Sequence, residues 1–186
     1  MQKDRYTIKA KREGYNARSV YKLFDINNRY NLVKRGDLVL DLGCWPGSWL
    51  QACLELKAKP VGVDLRETKV EGAFTITGDI TKKEVFDKIK GFGGFDVVLS
   101  DLAPSTTGNI EIDQFWSYEL SKMAFLIARN VLKLGGNFLV KIFQGKESEI
   151  LLNELKKSFR FVKAYKPEAS KKRSKEIYYV CLGYRG

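Results

Sequence analysis

Four aspartates that could take part in chemistry follow successive apolar segments of the chain: Asp41, Asp64, Asp79 and Asp101. Aspartate is disfavoured within β-strands, so an acid after each of four predicted strands indicates a role beyond the fold. The carboxyl ends of parallel strands meet at one edge of a sheet, where α/β proteins bind nucleotide-like ligands. Each acid could instead cap a helix, and this alternative is strongest for Asp79.

The segment LVLDLGCWPGSW at residues 38–49 is the centre of this arrangement. It predicts a buried strand ending at Asp41, a tight turn at Gly43 and Gly47, and a helix from about Ser48. Its glycines do not match the G-x-G-x-x-G pattern of dinucleotide sites, and a carboxylate there would repel a pyrophosphate. Asp41 suits a cationic ligand, and Asp64, after the second strand, suits ribose hydroxyls. S-adenosylmethionine (SAM) is therefore favoured over NAD, with another nucleotide site and an ordinary turn as open alternatives.

Lys141 interrupts an apolar run at residues 138–143 that reads as a central strand. Burying an ammonium group costs free energy unless carboxylates surround it, and Asp101 and Glu176 are the expected partners. The alternative is an edge-strand lysine that reaches solvent. Because the chain has no histidine, proton abstraction would fall to Lys, Asp, Glu or Tyr.

The elements that must position these groups alternate between strand and helix. Strands are predicted at residues 38–42, 60–64, 73–77, 95–100, 136–143, 161–165 and 177–183, and helices at 17–29, 49–56, 83–90, 114–132 and 148–158. Ser19 is a candidate helix cap, and Gly135 with Gly136 a candidate helix stop. The pattern predicts an α/β fold with a mostly parallel sheet and one antiparallel strand near its end.

Composition indicates a single soluble globular domain spanning residues 1–186. The chain is 44% hydrophobic and 30% charged, and no apolar run approaches the roughly 20 residues that span a bilayer. The basic first residues lack the apolar segment of a secretory signal, so we expect a cytoplasmic protein. The three cysteines have no C-x-x-C spacing, so we expect them to be reduced and no metal to be bound.

A net charge of +11 favours a polyanionic partner, and nucleic acid is the first candidate. Residues 1–16 read as a basic, partly mobile arm. The predicted phosphate contacts are Lys9, Lys11, Arg12, Arg18, Lys171, Lys172, Arg173 and Lys175. The alternatives are an ordinary solvated charge run and a lysine-rich composition typical of thermophiles.

The chain resembles the FtsJ/RrmJ-type ribose 2′-O-methyltransferases over nearly its whole length. REGYNARSVYKL is similar to the family's N-terminal helix, and DLGCWPGSW to its SAM loop. SDLAPSTTG, LVKIFQG and SKEIYYV are similar to the segments that complete a catalytic tetrad, which here is Lys22, Asp101, Lys141 and Glu176. The resemblance implies a Rossmann-like SAM-dependent methyltransferase fold, with a seven-stranded sheet and helices on both faces.

The resemblance also implies roles for individual residues. SAM would contact Asp41, Gly43, Cys44, Trp45, Pro46, Gly47, Trp49, Asp64, Asp79 and Asp101, with Asp64 on the ribose and Asp79 on the adenine. Trp45 and Ser48 depart from the family's small residues in this loop. Lys141 would orient or deprotonate the ribose hydroxyl, held by Asp101 and Glu176 and assisted by Lys22. Tyr178, on the same strand face as Glu176, would help position the target nucleoside.

We expect a monomer. Within the family, the short single-domain chain is most similar to the enzymes that modify a uridine of large-subunit ribosomal RNA. Enzymes acting on the anticodon loop of tRNA are the second interpretation. A non-catalytic RNA-binding or ribosome-assembly factor is the third, although the intact tetrad opposes it. A nicotinamide-dependent oxidoreductase is disfavoured by the glycine spacing and by Asp41.

Overall fold

A seven-stranded β-sheet forms the centre of the computed structural model, which describes residues 5–171 and 174–186. Its strands are β1 (Leu38–Leu42), β2 (Lys59–Asp64), β3 (Phe74–Thr77), β4 (Phe95–Ser100), β5 (Leu132–Phe143), β6 (Phe159–Tyr165) and β7 (Glu176–Tyr184). The helices are α1 (Arg5–Arg12), α2 (Val20–Tyr30), α3 (Ser48–Glu55), α4 (Lys83–Lys90), α5 (Ile110–Val131) and α6 (Lys146–Ser158). The strands lie in the order β3-β2-β1-β4-β5-β7-β6.

Strand β7 runs antiparallel to both of its neighbours, β5 and β6, while the pairings among β1 to β5 are parallel. The prediction of one antiparallel strand in a mostly parallel sheet is therefore confirmed. Because β7 is reversed, its first residues lie at the edge where the parallel strands end. In this register Lys141 faces Tyr178, and Phe143 faces Glu176.

Apolar layers cover both faces of the sheet. Helices α4, α5 and α6 pack on one face, and α2 and α3 pack on the other. Val97 and Leu99 of β4 contribute to the α2–α3 layer and Val98 to the opposite one, as the two-residue alternation of a strand requires. Burial on both faces explains why the central strands read as continuous apolar runs.

Helix α5 and strand β5 begin earlier than the sequence predicts. The helix starts at Ile110 instead of residue 114, because the Asn109 side chain accepts hydrogen bonds from the N–H groups of Glu111 and Ile112. The helix ends at Val131 and β5 follows at once, so Gly135 and Gly136 lie inside the strand and are not a helix stop. A register shift between β4 and β5 at this point accommodates them.

The basic N-terminal segment also differs from the predicted mobile arm. From Arg5 to Arg12 it forms α1, whose Tyr6 ring packs 5.6 Å from that of Tyr21 in α2. Ser19 does not cap α2 with its side chain; its hydroxyl instead lies 2.8 Å from that of Ser48. In the described part of the chain, no helix combines the length and apolarity needed to cross a membrane.

Candidate active site

Two lysine–carboxylate pairs, with buried lysines and half-buried carboxylates, lie at the edge of the sheet where the parallel strands end. Nζ of Lys22, from α2, is 2.6 Å from Oε1 of Glu176 at the start of β7. Nζ of Lys141, from β5, is 3.0 Å from Oδ1 of Asp101, which directly follows β4. The structure therefore brings together all four residues of the tetrad that the sequence predicts.

The pairing within the tetrad corrects one expectation. Glu176 was expected to hold Lys141, but it pairs with Lys22, because the register of β5 and β7 places Tyr178 opposite Lys141. The backbone carbonyl of Asp101 supplies the second acceptor for Lys141, at 2.6 Å. Each lysine thus has its own carboxylate.

Tyr178 connects the two pairs. Its hydroxyl donates to Oδ1 of Asp101 at 2.6 Å and accepts from Nζ of Lys22 at 3.3 Å. The side chain is fully buried, so the predicted positioning of the nucleoside would be exerted through Asp101 and Lys141. Burial, together with the carboxylates of Asp101 and Glu176, raises the pKa of Tyr178 well above its usual value, so the phenol keeps its proton.

The cationic neighbours determine the charge state of Asp101. Burial acts to raise the pKa of this carboxyl, but Lys141, Lys22 and the hydrogen bond from Tyr178 outweigh it and hold the pKa below its usual value. Asp101 is therefore ionised at neutral pH. An ionised carboxylate shared by an ammonium group and a phenol forms a preorganised polar cluster.

Two serines of α5 fix the strand that carries Lys141, and the sequence analysis missed them. The hydroxyl of Ser121 lies 2.8 Å from the carbonyl oxygen of Lys141, and the hydroxyl of Ser117 accepts from the N–H of Phe143 at 2.9 Å. The available signal was a pair of small polar residues four positions apart on a mostly apolar helix face. This spacing places both on one side of the helix, toward β5.

A cavity of about 450 Å³ opens beside the tetrad, over the ends of β1, β2 and β4. Three of the predicted acids, Asp64, Asp79 and Asp101, line it together with Gly43 and Trp45. Its apolar wall contains Leu65, Ile80, Leu102, Leu120 and Met123. A pocket with a few polar groups on an apolar wall fits a nucleoside-sized ligand.

The two acids on the β2–β3 side of the cavity are held by backbone and side-chain donors. The Asp64 carboxylate accepts from the N–H groups of Trp45 at 3.0 Å and Arg66 at 2.9 Å. Asp79 accepts from the N–H of Thr81 and from its hydroxyl, and these bonds lower the pKa of the Asp79 carboxyl. Both carboxylates are therefore oriented groups that retain acceptor capacity for hydroxyl or amino groups.

Asp41 is the residue whose environment most directly indicates a ligand. Its side chain is 1% exposed, and neither carboxylate oxygen has a hydrogen-bond partner among the described residues. Burial, with Asp101 and Asp64 nearby, raises the pKa of Asp41 well above its usual value. A narrow gap beside the main cavity is lined by Asp41, Gly43 and Asp101. A cationic group in this gap would pair with the Asp41 carboxylate. SAM carries such positive charge in its methionine part.

The glycine-containing turn needs its glycines for close approach. Gly43 has φ +79°, and an added Cβ would lie 2.6 Å from Cδ2 of Leu102. Gly47 has φ +101°, and an added Cβ would lie 2.5 Å from Cγ2 of Val70. Both positions have a positive φ that other residues rarely adopt, and an added Cβ would require the neighbouring side chain to shift.

The remaining residues of the turn have different environments. The Pro46 carbonyl accepts from the Asn16 side chain, and Cys44 is buried, which raises the pKa of its thiol to about 12. Trp49 is also buried, with its indole N–H donating to the Ser19 carbonyl at 2.8 Å. Trp45 is 47% exposed, and the Arg66 guanidinium lies 4.0 Å from its ring centroid. Trp45 and Arg66 form a stacked wall at the cavity; the sequence predicted Trp45 as a cofactor contact but gave no signal for Arg66.

The predicted phosphate contacts lie on two segments. Lys9, Lys11 and Arg12 are exposed on α1, and Arg18 is half-buried just before α2. Lys171 and Lys175 are exposed on the connection between β6 and β7, whereas Lys172 and Arg173 lie outside the described residues. Among residues 5–171 and 174–186, no three His, Cys, Asp or Glu side chains are grouped as a metal site.

This sheet order, with a nucleoside-sized cavity over the ends of β1, β2 and β4, defines a Rossmann-like methyltransferase fold. The FtsJ-like methyltransferase family model matches residues 15–184. The chain belongs to the FtsJ-like methyltransferase family.

Individual relatives match almost the whole chain. It is 46% identical over 184 residues to "Ribosomal RNA large subunit methyltransferase E" of Archaeoglobus fulgidus, covering 98% of this chain and 96% of the relative. The protein of the same name from Syntrophobacter fumaroxidans is 45% identical over 190 residues, with 98% and 96% covered.

Solved structures agree on the fold. A crystal structure of a protein assigned as a ribosomal RNA methyltransferase from Plasmodium falciparum has a TM-score of 0.84 and 32% identity, covering 92% of this chain and all of that one. Human methyltransferase-like protein 13 in complex with S-adenosylhomocysteine (SAH) has a TM-score of 0.60 and 13% identity, covering 89% of this chain and 80% of that one. The second similarity is evidence for the fold alone.

Proposed function

We propose that this protein transfers the methyl group of SAM to a ribose 2′-hydroxyl of RNA, with a uridine of large-subunit ribosomal RNA as the target. The observation that carries the proposal is the position of the tetrad. Two lysine–carboxylate pairs with buried lysines, joined by Tyr178, lie directly beside a cavity whose acids suit a nucleoside with a cationic tail.

The residues around the cavity fit SAM. Asp41 would pair with the positive charge of the methionine part, because both of its oxygens are buried without a partner in the described chain. Asp64 would accept from the ribose hydroxyls and Asp79 from the adenine amino group. Bound SAM supplies an electrophilic methyl group on its sulfonium. Trp45 and Arg66 would cover one side of the cofactor.

Lys141 is the group that would position the ribose hydroxyl. Its ammonium can donate three hydrogen bonds, and the backbone carbonyl and the carboxylate of Asp101 account for two. The third donor is then directed by the first two and can reach the substrate oxygen. A fixed cation beside that oxygen would stabilise the negative charge that develops as the hydroxyl proton passes to solvent water and the oxygen bonds to the methyl group, which leaves S-adenosylhomocysteine as the second product.

Lys22 would act as the second cation of the site. Glu176 and the Tyr178 hydroxyl fix its Nζ, so it adds positive potential without a flexible side chain. Both lysines are less than 10% exposed, and low exposure strengthens their field on a neighbouring oxygen. In-line attack on a methyl group needs mainly this orientation and charge stabilisation.

The RNA substrate is supported by charge and by kinship. A net charge of +11 favours a polyanion, and the relatives carry the name ribosomal RNA large subunit methyltransferase E. A shared name at 45–46% identity supports the same substrate class for this chain.

The test is methyl transfer from labelled SAM to naked large-subunit RNA, assembled large subunits and tRNA, followed by nucleoside digestion. We expect label as 2′-O-methyluridine in large-subunit RNA or subunits. Lys141→Ala should lower the rate about 100-fold or more, as loss of a preorganised charge-stabilising group does. The matched control is Lys59→Ala, which removes an exposed lysine at the start of β2. This position lies at the end of the strands that is farther from the cavity.

Three outcomes would contradict the proposal. Label on a base would exclude ribose chemistry, and label confined to tRNA would replace the substrate with the second interpretation. A wild-type protein that binds SAH but labels none of these RNAs would support a binding or assembly role instead.

A further inference from the structure

A second cavity, of about 510 Å³, lies between α1, the turn before α2 and the segment after β6. Three cationic side chains line it, one from each of these segments: Arg5, Arg18 and Lys171. The ring of Tyr6 forms part of the wall, and the Arg5 guanidinium lies 5.2 Å from that ring's centroid. Basic and aromatic groups around one cavity are typical of sites for nucleic acid.

Ser170 supplies the independent sign of a ligand. It lines this cavity, is only 9% exposed, and its buried hydroxyl has no hydrogen-bond partner among the described residues. Its N–H is already used, because it donates to the Pro167 carbonyl at 2.9 Å. A buried hydroxyl without a partner is uncommon in a native fold and is satisfied when a ligand brings an acceptor oxygen.

The charges around the cavity favour an anion on this side of α1. Among the described residues of the lining, Glu168 is the one acid, against the cations Arg5, Arg18 and Lys171. A neighbouring cavity shares Tyr6, Glu168 and Ala169 and is more acidic, with Glu13, Asp25 and Glu55 in its wall against the single cation Lys9 among the described residues. A phosphate would therefore be attracted to the first cavity and repelled from the second.

We propose that this cavity binds a backbone phosphate of the RNA substrate, with Arg5, Arg18 and Lys171 neutralising it and Ser170 donating to a phosphate oxygen. This inference rests on the proposed function. Two of the three segments around the cavity lead toward the tetrad in sequence: Arg18 precedes Lys22 of α2, and Lys171 precedes Glu176 of β7. A bound phosphate would therefore connect RNA docking to the Lys22–Glu176 pair.

The experiment uses the full chain and the shortest large-subunit RNA fragment that accepts methyl groups from the wild-type protein. RNA affinity is measured by fluorescence anisotropy across a salt series for Arg18→Gln, Ser170→Ala and the charge-matched control Lys59→Gln. Arg18→Gln should weaken binding several-fold and reduce the slope of log K against log salt by about 0.7–0.9. Ser170→Ala should weaken binding about 3–10-fold with the slope unchanged, because it removes a hydrogen bond and no charge. Lys59→Gln should change neither quantity.

A second measurement locates the phosphate. Single methylphosphonate linkages, each with a 2′-deoxy sugar for stability, remove one backbone charge at a time from the fragment. When the methylphosphonate replaces the phosphate that this cavity binds, Arg18→Gln and Ser170→Ala should not weaken RNA binding any further, because the charged group that they contact is already absent.

Other results would overturn the site and leave the proposed function standing. The site is overturned if the wild-type protein methylates RNA but Arg18→Gln and Ser170→Ala bind RNA as tightly as Lys59→Gln does. It is also overturned if the two variants lose the same affinity at every methylphosphonate linkage. A wild-type protein that neither binds nor methylates RNA would end both proposals. SAH affinity, measured in parallel, establishes that each variant is folded.

Discussion

The phenol hydroxyl of Tyr178 donates a 2.6 Å hydrogen bond to Oδ1 of Asp101, although the two residues are 77 positions apart. The same carboxylate oxygen lies 3.0 Å from Nζ of Lys141. Since the phenol keeps its proton, Tyr178 is a permanent donor that orients Asp101 and, through it, Lys141. We therefore expect Tyr178 to act on the ribose hydroxyl through Asp101 and Lys141, without a contact of its own to RNA.

Tyr178→Phe should lower kcat about 10-fold or more while the KM for RNA and the affinity for SAH stay near wild type. Loss of a hydrogen bond to a buried charged group costs roughly 1.5–3 kcal/mol. The control is Tyr179→Phe, which removes a buried hydroxyl that donates to the Ser148 carbonyl on the other face of β7. Steady-state kinetics distinguish the two variants. A raised KM for RNA with a normal kcat in Tyr178→Phe would indicate that Tyr178 contributes to RNA binding instead.

The Lys22–Glu176 pairing can be tested by a double-mutant cycle on unfolding free energy. Combining Lys22→Met with Glu176→Gln should reveal a coupling of about 1–3 kcal/mol, because the two groups share a buried 2.6 Å contact. The same cycle with Lys141→Met and Glu176→Gln should give less than about 0.5 kcal/mol. Urea denaturation measures both coupling energies. A larger coupling for Lys141 with Glu176 than for Lys22 with Glu176 would show that Glu176 pairs with Lys141.

Asp41→Asn should stabilise the ligand-free protein while weakening SAM binding. Because the pKa of Asp41 is raised, the folded protein holds a proton that the unfolded chain releases above about pH 4. The free energy of unfolding therefore falls as the pH rises from about 4 toward the raised pKa of folded Asp41. Asparagine does not titrate, so Asp41→Asn removes this decrease in stability. At neutral pH we expect a gain of about 1–2 kcal/mol, or roughly 3–8 °C in Tm.

Thermal unfolding at about pH 5 and about pH 8 checks the sign for Asp41, with the larger gain expected at the higher pH. The control is Asp87→Asn on the exposed face of α4, which should change Tm little at either pH. An equal shift at both pH values, or tighter SAM binding by the variant, would contradict this account of Asp41.

The Trp45–Arg66 wall should slow cofactor exchange. Trp45→Ala removes the ring that lines the cavity, and Arg66→Gln removes the cation stacked 4.0 Å from it. We expect SAH to bind roughly 5–20-fold more weakly to the first variant and about 2–5-fold more weakly to the second, mostly through faster release. Stopped-flow fluorescence measures the release, and Trp116→Ala, at a tryptophan 52% exposed on α5, is the matched control. Unchanged release in Trp45→Ala would exclude a covering role.

The strands and the acids at their ends could be predicted because their signals are local, whereas Lys22 was assigned to the tetrad only through the family resemblance. Asp64, Asp79 and Asp101 follow apolar runs, and all three line one cavity, as the geometry of parallel strands requires. Lys141 was conspicuous because a lysine within a buried strand needs a partner. Periodicity gave β1 and β4 their observed bounds.

The pairing inside the tetrad could not be predicted because it depends on register between distant strands. A shift of one residue between β5 and β7 would turn Tyr178 to the other face of the sheet. Similarly, α1 packs on α2 through Tyr6 and Tyr21, a contact between separate segments that the charged local sequence does not indicate. The missing partners of Asp41 are a property of the surrounding fold, and no sequence pattern records them.

The reversed strand β7 has a consequence for synthesis of the protein on the ribosome. Strands β1 to β4, which frame the cofactor cavity, precede β7 in the chain, whereas Glu176 and Tyr178 belong to β7 itself. β7 must insert between β5 and β6 before Lys22 has its carboxylate and Asp101 has its phenol donor. A growing chain can thus form the cofactor half of the site first, and it becomes competent for methyl transfer only when β7 has emerged and joined the sheet.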